Sequence, residues 1–374
     1  MNTHPDEQLL LSELALSLVP GIGPRLRTLL IDEFGSARDV FLQPPDRLSR
    51  ISGIGRTVVD NLRDPAVHRR ALEVLRECSE SHTQLITQTS TGYPVRLKEI
   101  CDAPGLLYLR GALLPADDLA VAIVGSRRCT IYGRRHAERL GASLARAGFT
   151  VISGLARGID AAAHRGAMNA GGRTLAVLAS GVRDIYPPEH QELADEVIQQ
   201  GALISEQPPD QSPRPGLFPQ RNRIVSGLCP GVIVVEASRR SGALYTARHA
   251  MEQGREVFAL PGPVDNLASE GCHELIRDGV TLIRNVDDVL KGLGPLPTPA
   301  SPAVNVMVHS PREMVLNPLE KEVLNLISSS PVHVDQIVQQ TQLDISRVLA
   351  TLTVLEMRRL IRRLPGNQLV RHDL

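Results

Sequence analysis

The rhythm of apolar positions changes twice along the chain and predicts three folded units. Over residues 6 to 75 apolar side chains recur at helical spacing, as in Leu9, Leu10, Leu14 and Leu18 ahead of Pro20, so this part reads as helices. From about residue 118 short apolar runs alternate with amphipathic stretches. The run over 119–124 precedes a helix predicted over 134–147, with Ala137, Leu140 and Leu144 on one face and Gly148 to cap it. A strand over 150–152, the loop Ser153-Gly-Leu-Ala-Arg-Gly158 and a helix over 159–169 follow. Further strands are predicted at about 174–178, 202–205, 231–235, 256–259 and 280–283, with helices between them. Such alternation predicts an α/β fold with a Rossmann-like, doubly wound, mostly parallel sheet. Between the two units, a connector over 91–111 contains Tyr93-Pro94 and Asp102-Ala-Pro104, and its Leu106, Leu107 and Leu109 predict an extended segment packed on the sheet domain.

The rhythm breaks again after Leu290. Residues 292–302 hold four prolines and two glycines and read as a linker. Asn317-Pro318 then suits the start of a helix over 319–327, two more helices are predicted at 334–340 and 344–357, and the tail reads as a hairpin over 358–364 and 368–371 about the turn Pro365-Gly-Asn367. Three helices and a hairpin predict a winged helix. The expected organisation is a helical, helix-hairpin-helix-like domain over 1–85, a Rossmann-like domain over 86–292, a Pro-rich linker over 293–314 and a winged helix over 315–374.

Composition narrows the chemistry. Of the 374 residues 42% are apolar, yet there are five Phe, five Tyr and no Trp, so the core must be built from Ala, Val, Ile and Leu. The 41 basic and 41 acidic residues cancel, so any site for a polyanion is local. Five scattered cysteines, with neither a Cys-x-x-Cys pair nor a metal-ligand spacing, predict reduced thiols, a cytoplasmic location and no metal. Met1 to Gln8 does not read as a signal peptide, and no apolar run approaches the ~20 residues of a membrane span.

Two glycine hairpins, Gly21-Ile-Gly-Pro24 and Gly53-Ile-Gly-Arg56, lie 32 residues apart. Such turns let a backbone approach a phosphate at the N-terminus of the following helix. They equally make tight turns between helices, and their basic flanks are thin, with Arg25 and Arg27 beside the first and Arg56 beside the second. Gly21, Gly23, Gly53, Gly55 and Arg56 are therefore candidates for accessory contacts to a phosphate backbone.

The strand ends carry more. The run Ala120-Val-Ala-Ile-Val-Gly-Ser-Arg127 ends in a glycine, a hydroxyl and the pair Arg127 and Arg128, without the G-x-G-x-x-G of a pyrophosphate turn, so no dinucleotide cofactor is expected. The next loop holds Arg157, and the one with Tyr186-Pro187 an aromatic. Phe218-Pro-Gln-Arg-Asn-Arg223 adds Phe218, Arg221, Asn222 and Arg223, and Arg239-Arg-Ser-Gly-Ala-Leu-Tyr-Thr246 adds the small residues Ser241 and Gly242. Converging on one sheet edge, these residues suit a phosphate backbone and exposed bases, with Tyr132, Tyr186 or Phe218 able to stack a base or simply to pack in the core.

Other chemistry is open at this stage. Asp160 and His164 stand four apart on one helix face as an acid-base or ligand pair, although Asp160 also suits helix capping. Glu236 at a strand end suits a base in a phosphoribohydrolase-like, nucleotide-processing reaction, but the Pro-Gly-Gly-x-Gly-Thr loop of such enzymes is replaced here by Arg240-Ser-Gly-Ala-Leu. A duplex-reading regulator acting through the winged helix is a third reading. Against it, residues 316–374 hold seven basic and six acidic residues, with Asp344 and Glu356 beside Arg347 on the presumed recognition helix, although the wing is more basic through Arg358, Arg359, Arg362, Arg363 and Arg371.

The series Val124-Gly-Ser-Arg127, Ser153-Gly-Leu-Ala-Arg-Gly-Ile-Asp160 with Ala163-His164, Ser205-Glu206, Phe218-Pro-Gln-Arg-Asn-Arg-Ile224, Glu236-Ala237 with Ser241-Gly242, and Gly254-Arg255 to Ala259-Leu-Pro-Gly262 closely resembles the DprA/Smf family of bacterial DNA-processing proteins. The match runs in order over about 93–290, and the helical module and winged helix fit too. The resemblance implies a Rossmann-like domain that binds single-stranded DNA without catalysis, forms homodimers and loads the recombinase RecA onto DNA in natural transformation, possible partners including a single-stranded-DNA-binding protein. It places the DNA pocket at Gly125, Ser126 and Arg127. Arg128, Arg157, Arg221 and Arg223 are added on physical grounds, and Pro188 stands where the family often has a basic residue after Tyr-Pro.

Overall fold

The computed structural model describes residues 5–294, 318–327, 332–341, 345–357, 360–364 and 368–371. The expected linker falls outside the described residues from 295 onward, as do Asp344, Arg358, Arg359 and the turn 365–367.

The helical module comprises α1 (Pro5–Leu18), α2 (Pro24–Phe34), α3 (Ala37–Leu42), α4 (Pro45–Leu48), α5 (Arg56–Arg63) and α6 (Pro65–Glu80). Proline at the first turn of α2, α4 and α6 costs no hydrogen bond there, and Ser36 and Asp64 cap α3 and α6 by accepting from Asp39 N and Ala66 N. The two hairpin glycines Gly21 and Gly53 adopt φ of 90° and 89°, which explains the residue type. A Cβ on Gly21 would lie 3.1 Å from Val58, and one on Gly53 would lie 3.0 Å from Leu26. Each hairpin thus packs on the helix that follows the other.

The α/β part runs β1 (Gln84–Thr87), α7 (Val95–Lys98), β2 (Leu106–Gly111), β3 (Ala120–Val124), α8 (Ile131–Arg146), β4 (Thr150–Ser153), α9 (Ile159–Asn169), β5 (Thr174–Val177), α10 (Gln191–Gln200), β6 (Ala202–Ser205), α11 (Leu217–Gly227), β7 (Gly231–Val234), α12 (Ala243–Glu252), β8 (Glu256–Ala259), α13 (Glu270–Arg277), β9 (Thr281–Leu282) and α14 (Val286–Leu293). Among the described residues nine strands form one sheet in the order β1-β2-β6-β5-β4-β3-β7-β8-β9. Strands β3 to β9 pair in parallel, whereas β1 pairs antiparallel with β2, and β2 with β6. The expected extended segment is therefore a full sheet member. The strands β3 to β7 are buried on both faces, as parallel strands flanked by helices must be.

The apolar core of the helical module, with Leu14, Leu30 and Val74, is continuous with the sheet residues Leu106, Tyr108 and Leu203. Arg27 crosses this junction. It is buried, donates to Glu13 and, at 3.1 Å, to Gln88, and leaves no room for a Cβ on Gly105.

The second unit is a small three-helix fold with α15 (Pro318–Asn325), β10 (Val332–His333), α16 (Val334–Thr341), α17 (Ile345–Met357), β11 (Ile361–Leu364) and β12 (Gln368–Arg371). Its strands pair in the order β10-β12-β11 over a core of Val323, Ile337, Leu352 and Leu369, among others. Strand β10 was not apparent in the sequence, being two residues long. Among the described residues, no helix is long and apolar enough to cross a membrane.

Candidate nucleic-acid interface

Strand order reverses between β3 and β7: β4, β5 and β6 extend to one side of β3, and β8 and β9 lie beyond β7. Loops leaving these two strands diverge, and the crevice between them is where open α/β sheets bind ligands. The loop after β3 is tightly held. Ser126 N donates to Glu236 O at 2.7 Å, and Ser126 O accepts from Ile159 N at 3.2 Å. Gly125 has no space for a side chain, because a Cβ would meet Ile159 at 2.6 Å and Glu236 O at 2.9 Å. Gly158 has φ 76°, and a Cβ there would lie 2.3 Å from Ser126 O. Pinned on both sides, the loop turns Arg127 and Arg128 outward into solvent, with Ser126 Oγ accepting from Arg128 N at 3.2 Å.

The loop after β4 forms the floor. Leu155 is fully buried at φ 57°, a left-handed conformation that costs an ordinary side chain energy and persists because its surroundings fix it, with His190 Nδ1 2.8 Å from Leu155 O. Asp160 at the start of α9 accepts from Gly154 N at 3.2 Å and Ala156 N at 3.4 Å. Burial raises its carboxyl above the ordinary range, opposed chiefly by the charge of Arg221.

Arg221 is the unusual residue of the site. It projects from α11 over Gly154, where a Cβ would lie 1.4 Å from its Nη1. Only 7% exposed, it makes no hydrogen bond or ion pair with any described residue, and its Nε is enclosed without an acceptor. Burial lowers its affinity for the proton, Asp160 raises it, and the nearby positive charge of Arg127 lowers it again. A desolvated guanidinium beside a second cation has strong need of an anion.

The guanidinium of Arg127 lies 4.6 Å from the centre of the Phe218 ring, and Phe218 meets Tyr186 edge-on at 5.8 Å. Cation and ring together suit a phosphate with its attached base. These residues open into a cleft of about 1220 Å³. Of the residues expected from the sequence, it gathers Gly125, Ser126, Arg127, Arg128, Phe218, Arg221, Asn222, Ser241 and Gly242. Asn222 Nδ2 donates to Gly242 O at 3.3 Å, tying the α11 wall to the start of α12. Arg157 stands at the neighbouring rim with Arg127 and Arg221 but is held by Glu189. Tyr245 and Leu267, both exposed in the cleft wall, were not anticipated. Helical periodicity places Tyr245 on α12 without indicating which face meets solvent.

Other candidates lie elsewhere or take structural roles. Arg223 does not face the cleft: it is buried against the opposite side, where Nη2 donates to Glu206 at 2.7 and 2.5 Å and Nη1 to Asp102 O. Two helical positions separate it from Arg221, about 200° of rotation, so the two arginines cannot share a face. Tyr132 lies outside the cleft, donating to Pro261 O at 2.7 Å. Glu236 is buried and accepts from Thr130 N at 3.0 Å and Thr130 Oγ1 at 2.7 Å, so it braces α8 and is not presented to a substrate. Asp160 and His164 do not pair: His164 Nδ1 is 2.6 Å from Thr174 Oγ1, and burial pushes its pKa down to about 3. Arg27 is committed to Glu13 and Gln88 and does not flank the first hairpin's free edge.

Gly23 and Gly55 are the N-caps of α2 and α5, extended, without a side-chain cap, and facing open space. Arg56 beside Gly55 is exposed. Both helix starts therefore present free backbone N–H groups. Among the described residues no three His, Cys, Asp or Glu side chains gather as a metal site.

A Rossmann-like sheet with an arginine-lined crevice at its switch point, carrying a tandem of hairpins at one end and a winged helix after it, defines a class of multidomain nucleic-acid-handling proteins. Residues 84–294 match the family model described as DNA recombination-mediator protein A, residues 308–367 the DprA winged helix domain, and residues 13–65 the SAM-like helix-hairpin-helix tandem. The chain belongs to the DNA recombination-mediator protein A family. With that membership comes a DNA-processing role related to recombination. It is 33% identical to Protein Smf of Synechocystis over 94% of this chain and 96% of the relative. Among solved structures, DNA processing protein A from Streptococcus pneumoniae is similar at 35% identity and TM-score 0.61, covering 75% of this chain and 95% of that one. DNA processing protein A from Helicobacter pylori, described for its single-stranded DNA binding mode, is similar at 32% identity and TM-score 0.51, covering 56% of this chain and 95% of that one.

Proposed function

We propose that the chain binds single-stranded DNA in the β3/β7 cleft, without catalysis, and loads a RecA recombinase onto it as a homodimer in the cytoplasm, in the recombination that follows natural transformation. The observation that carries this reading is Arg221, a buried cation that makes no hydrogen bond or ion pair with any described residue and feels only the more distant negative charge of Asp160, set beside Arg127 and Phe218. Asp160 offsets part of this charge without a hydrogen bond, whereas a phosphate entering the cleft supplies acceptors to it directly. Single strands are favoured over duplex because Phe218 and Tyr186 offer ring surface to unstacked bases. The non-catalytic reading is supported by Glu236 and Asp160, whose carboxylates are engaged by Thr130 and by the backbone of the β4–α9 loop. The hairpins at Gly21 to Gly23 and Gly53 to Arg56 are proposed as accessory backbone contacts.

The test is a loading assay. Single-stranded DNA coated with a single-stranded-DNA-binding protein is mixed with RecA, with and without the purified chain, and strand exchange is followed. The chain should shorten the lag, and Arg221→Met should abolish the effect. An unchanged lag, or turnover of nucleoside monophosphates by the chain, contradicts the proposal.

A further inference from the structure

Helix α8 buries Ala137, Leu140 and Leu144 against the sheet. Its outer face carries Tyr132, Arg135, His136 and Arg139, spaced so that they share one side of the helix, and they line a shallow groove of about 180 Å³. Arg135 and Arg139 are exposed, and among the described residues no carboxylate lies within ion-pair distance of either. The aromatic pair is fixed: Tyr132 donates to Pro261 O at 2.7 Å, and its ring lies 4.3 Å from that of His136 at a 48° tilt. Burial, helped by Arg139 and Arg135, lowers the His136 pKa and so disfavours a third charge on this face.

Two unpaired guanidinium groups flanking fixed rings repeat, outside the cleft, the chemistry found within it. An acidic peptide would use the charges and leave the rings unused, whereas a nucleic-acid strand uses both. The groove and the cleft are linked by short chain segments. Arg128, in the cleft wall, lies in the turn just before α8 begins at Ile131, and the segment that holds the Tyr132 hydroxyl through Pro261 also sends Leu267 into the cleft. From Tyr132 to Arg139 the helix advances by about 10 Å.

We propose that single-stranded DNA leaving the cleft past Arg128 continues along the outer face of α8, its phosphates on Arg135 and Arg139 and a base against Tyr132 and His136. This rests on the cleft reading and extends it to a longer binding site.

The experiment uses the full chain and the double variant Arg135→Ala/Arg139→Ala, titrated with fluorescent oligonucleotides of increasing length. Both side chains are exposed, so the double variant should keep the wild-type denaturation midpoint. Oligonucleotides that fill only the cleft should bind both proteins equally. Longer ones should gain affinity with the wild type and plateau with the variant, whose salt slope for them falls by about 1.4, corresponding to two lost phosphate contacts. Equal affinities at every length overturn the proposal, as does an equal loss at every length, which would reflect only the general field. Failure of the cleft reading is separately visible: the shortest oligonucleotides would then bind wild type and Arg127→Ala alike.

Discussion

Arg221 and Arg223, two positions apart on α11, face opposite sides of the helix, one toward an open crevice with no hydrogen-bond partner among the described residues and the other into a buried pair with Glu206. Replacing them has different consequences. Arg223→Met strands the largely buried Glu206 and should cost about 3–5 kcal/mol. Arg221→Met removes a buried charge that makes no hydrogen bond, but also the main counter-charge of Asp160, so it should cost less stability than Arg223→Met while weakening DNA binding. Chemical denaturation paired with a binding titration separates the two; a large stability loss for Arg221→Met would mean that the native fold uses this charge.

The loop that bears Arg127 depends on Gly158. Gly158→Ala places a methyl against Ser126 O in a backbone conformation unfavourable to alanine, and should cost about 1–3 kcal/mol while lowering affinity for single strands. Gly171, with φ 73° and nothing within 4 Å of a Cβ, is the comparison: Gly171→Ala should cost less and leave binding intact. Equal effects on urea midpoint and affinity would remove the role assigned to the Gly158–Ser126 contact.

His164 gives an acid-side signature. Its pKa is pushed down to about 3 by burial, so between the ordinary histidine value near 6.5 and about 3 the unfolded chain holds a proton that the folded chain lacks. Stability therefore falls as pH drops through that window, by up to ~1.4 kcal/mol per unit from this group. In His164→Asn the same limb should be shallower between pH 6.5 and 4. An identical slope for both proteins would show that His164 is not the group responsible.

The helical module is fastened to the sheet by Arg27, with Glu13 on one side and Gln88 on the other. Glu13→Leu leaves the guanidinium buried and uncompensated and should destabilise the chain by about 3–5 kcal/mol, read as a lower denaturation midpoint. A change below 1 kcal/mol would mean that water reaches Arg27.

Much of this was legible in the sequence, for identifiable reasons. Parallel strands buried on both faces give uninterrupted apolar runs such as Ala120-Val-Ala-Ile-Val124, and each ends in glycine or a polar residue, so the edge carrying Gly125 to Arg128 could be located without coordinates. Helix α9 falls where the sequence places it because glycine marks its start and apolar residues fill it. Strand β1 was missed because Gln84-Leu-Ile-Thr87 is short, half exposed and paired at the sheet's margin. The direction of Arg223 was readable from helical rotation, but its partner Glu206 lies on another element, and a cation near a strand end was read as a ligand for DNA. Arg27 fails for the same reason, its partner Gln88 being 61 positions away. Periodicity assigns residues to elements, whereas pairing of buried charges is decided by which elements meet.

The most direct test of the account is a salt titration of single-stranded oligonucleotide binding by the wild type and Arg127→Ala. With Arg127 contacting a phosphate beside Phe218, the variant should bind more weakly, and its slope of log affinity against log salt should be shallower by about 0.7. Unchanged affinity with an unchanged slope would contradict the placement of the DNA strand in this cleft.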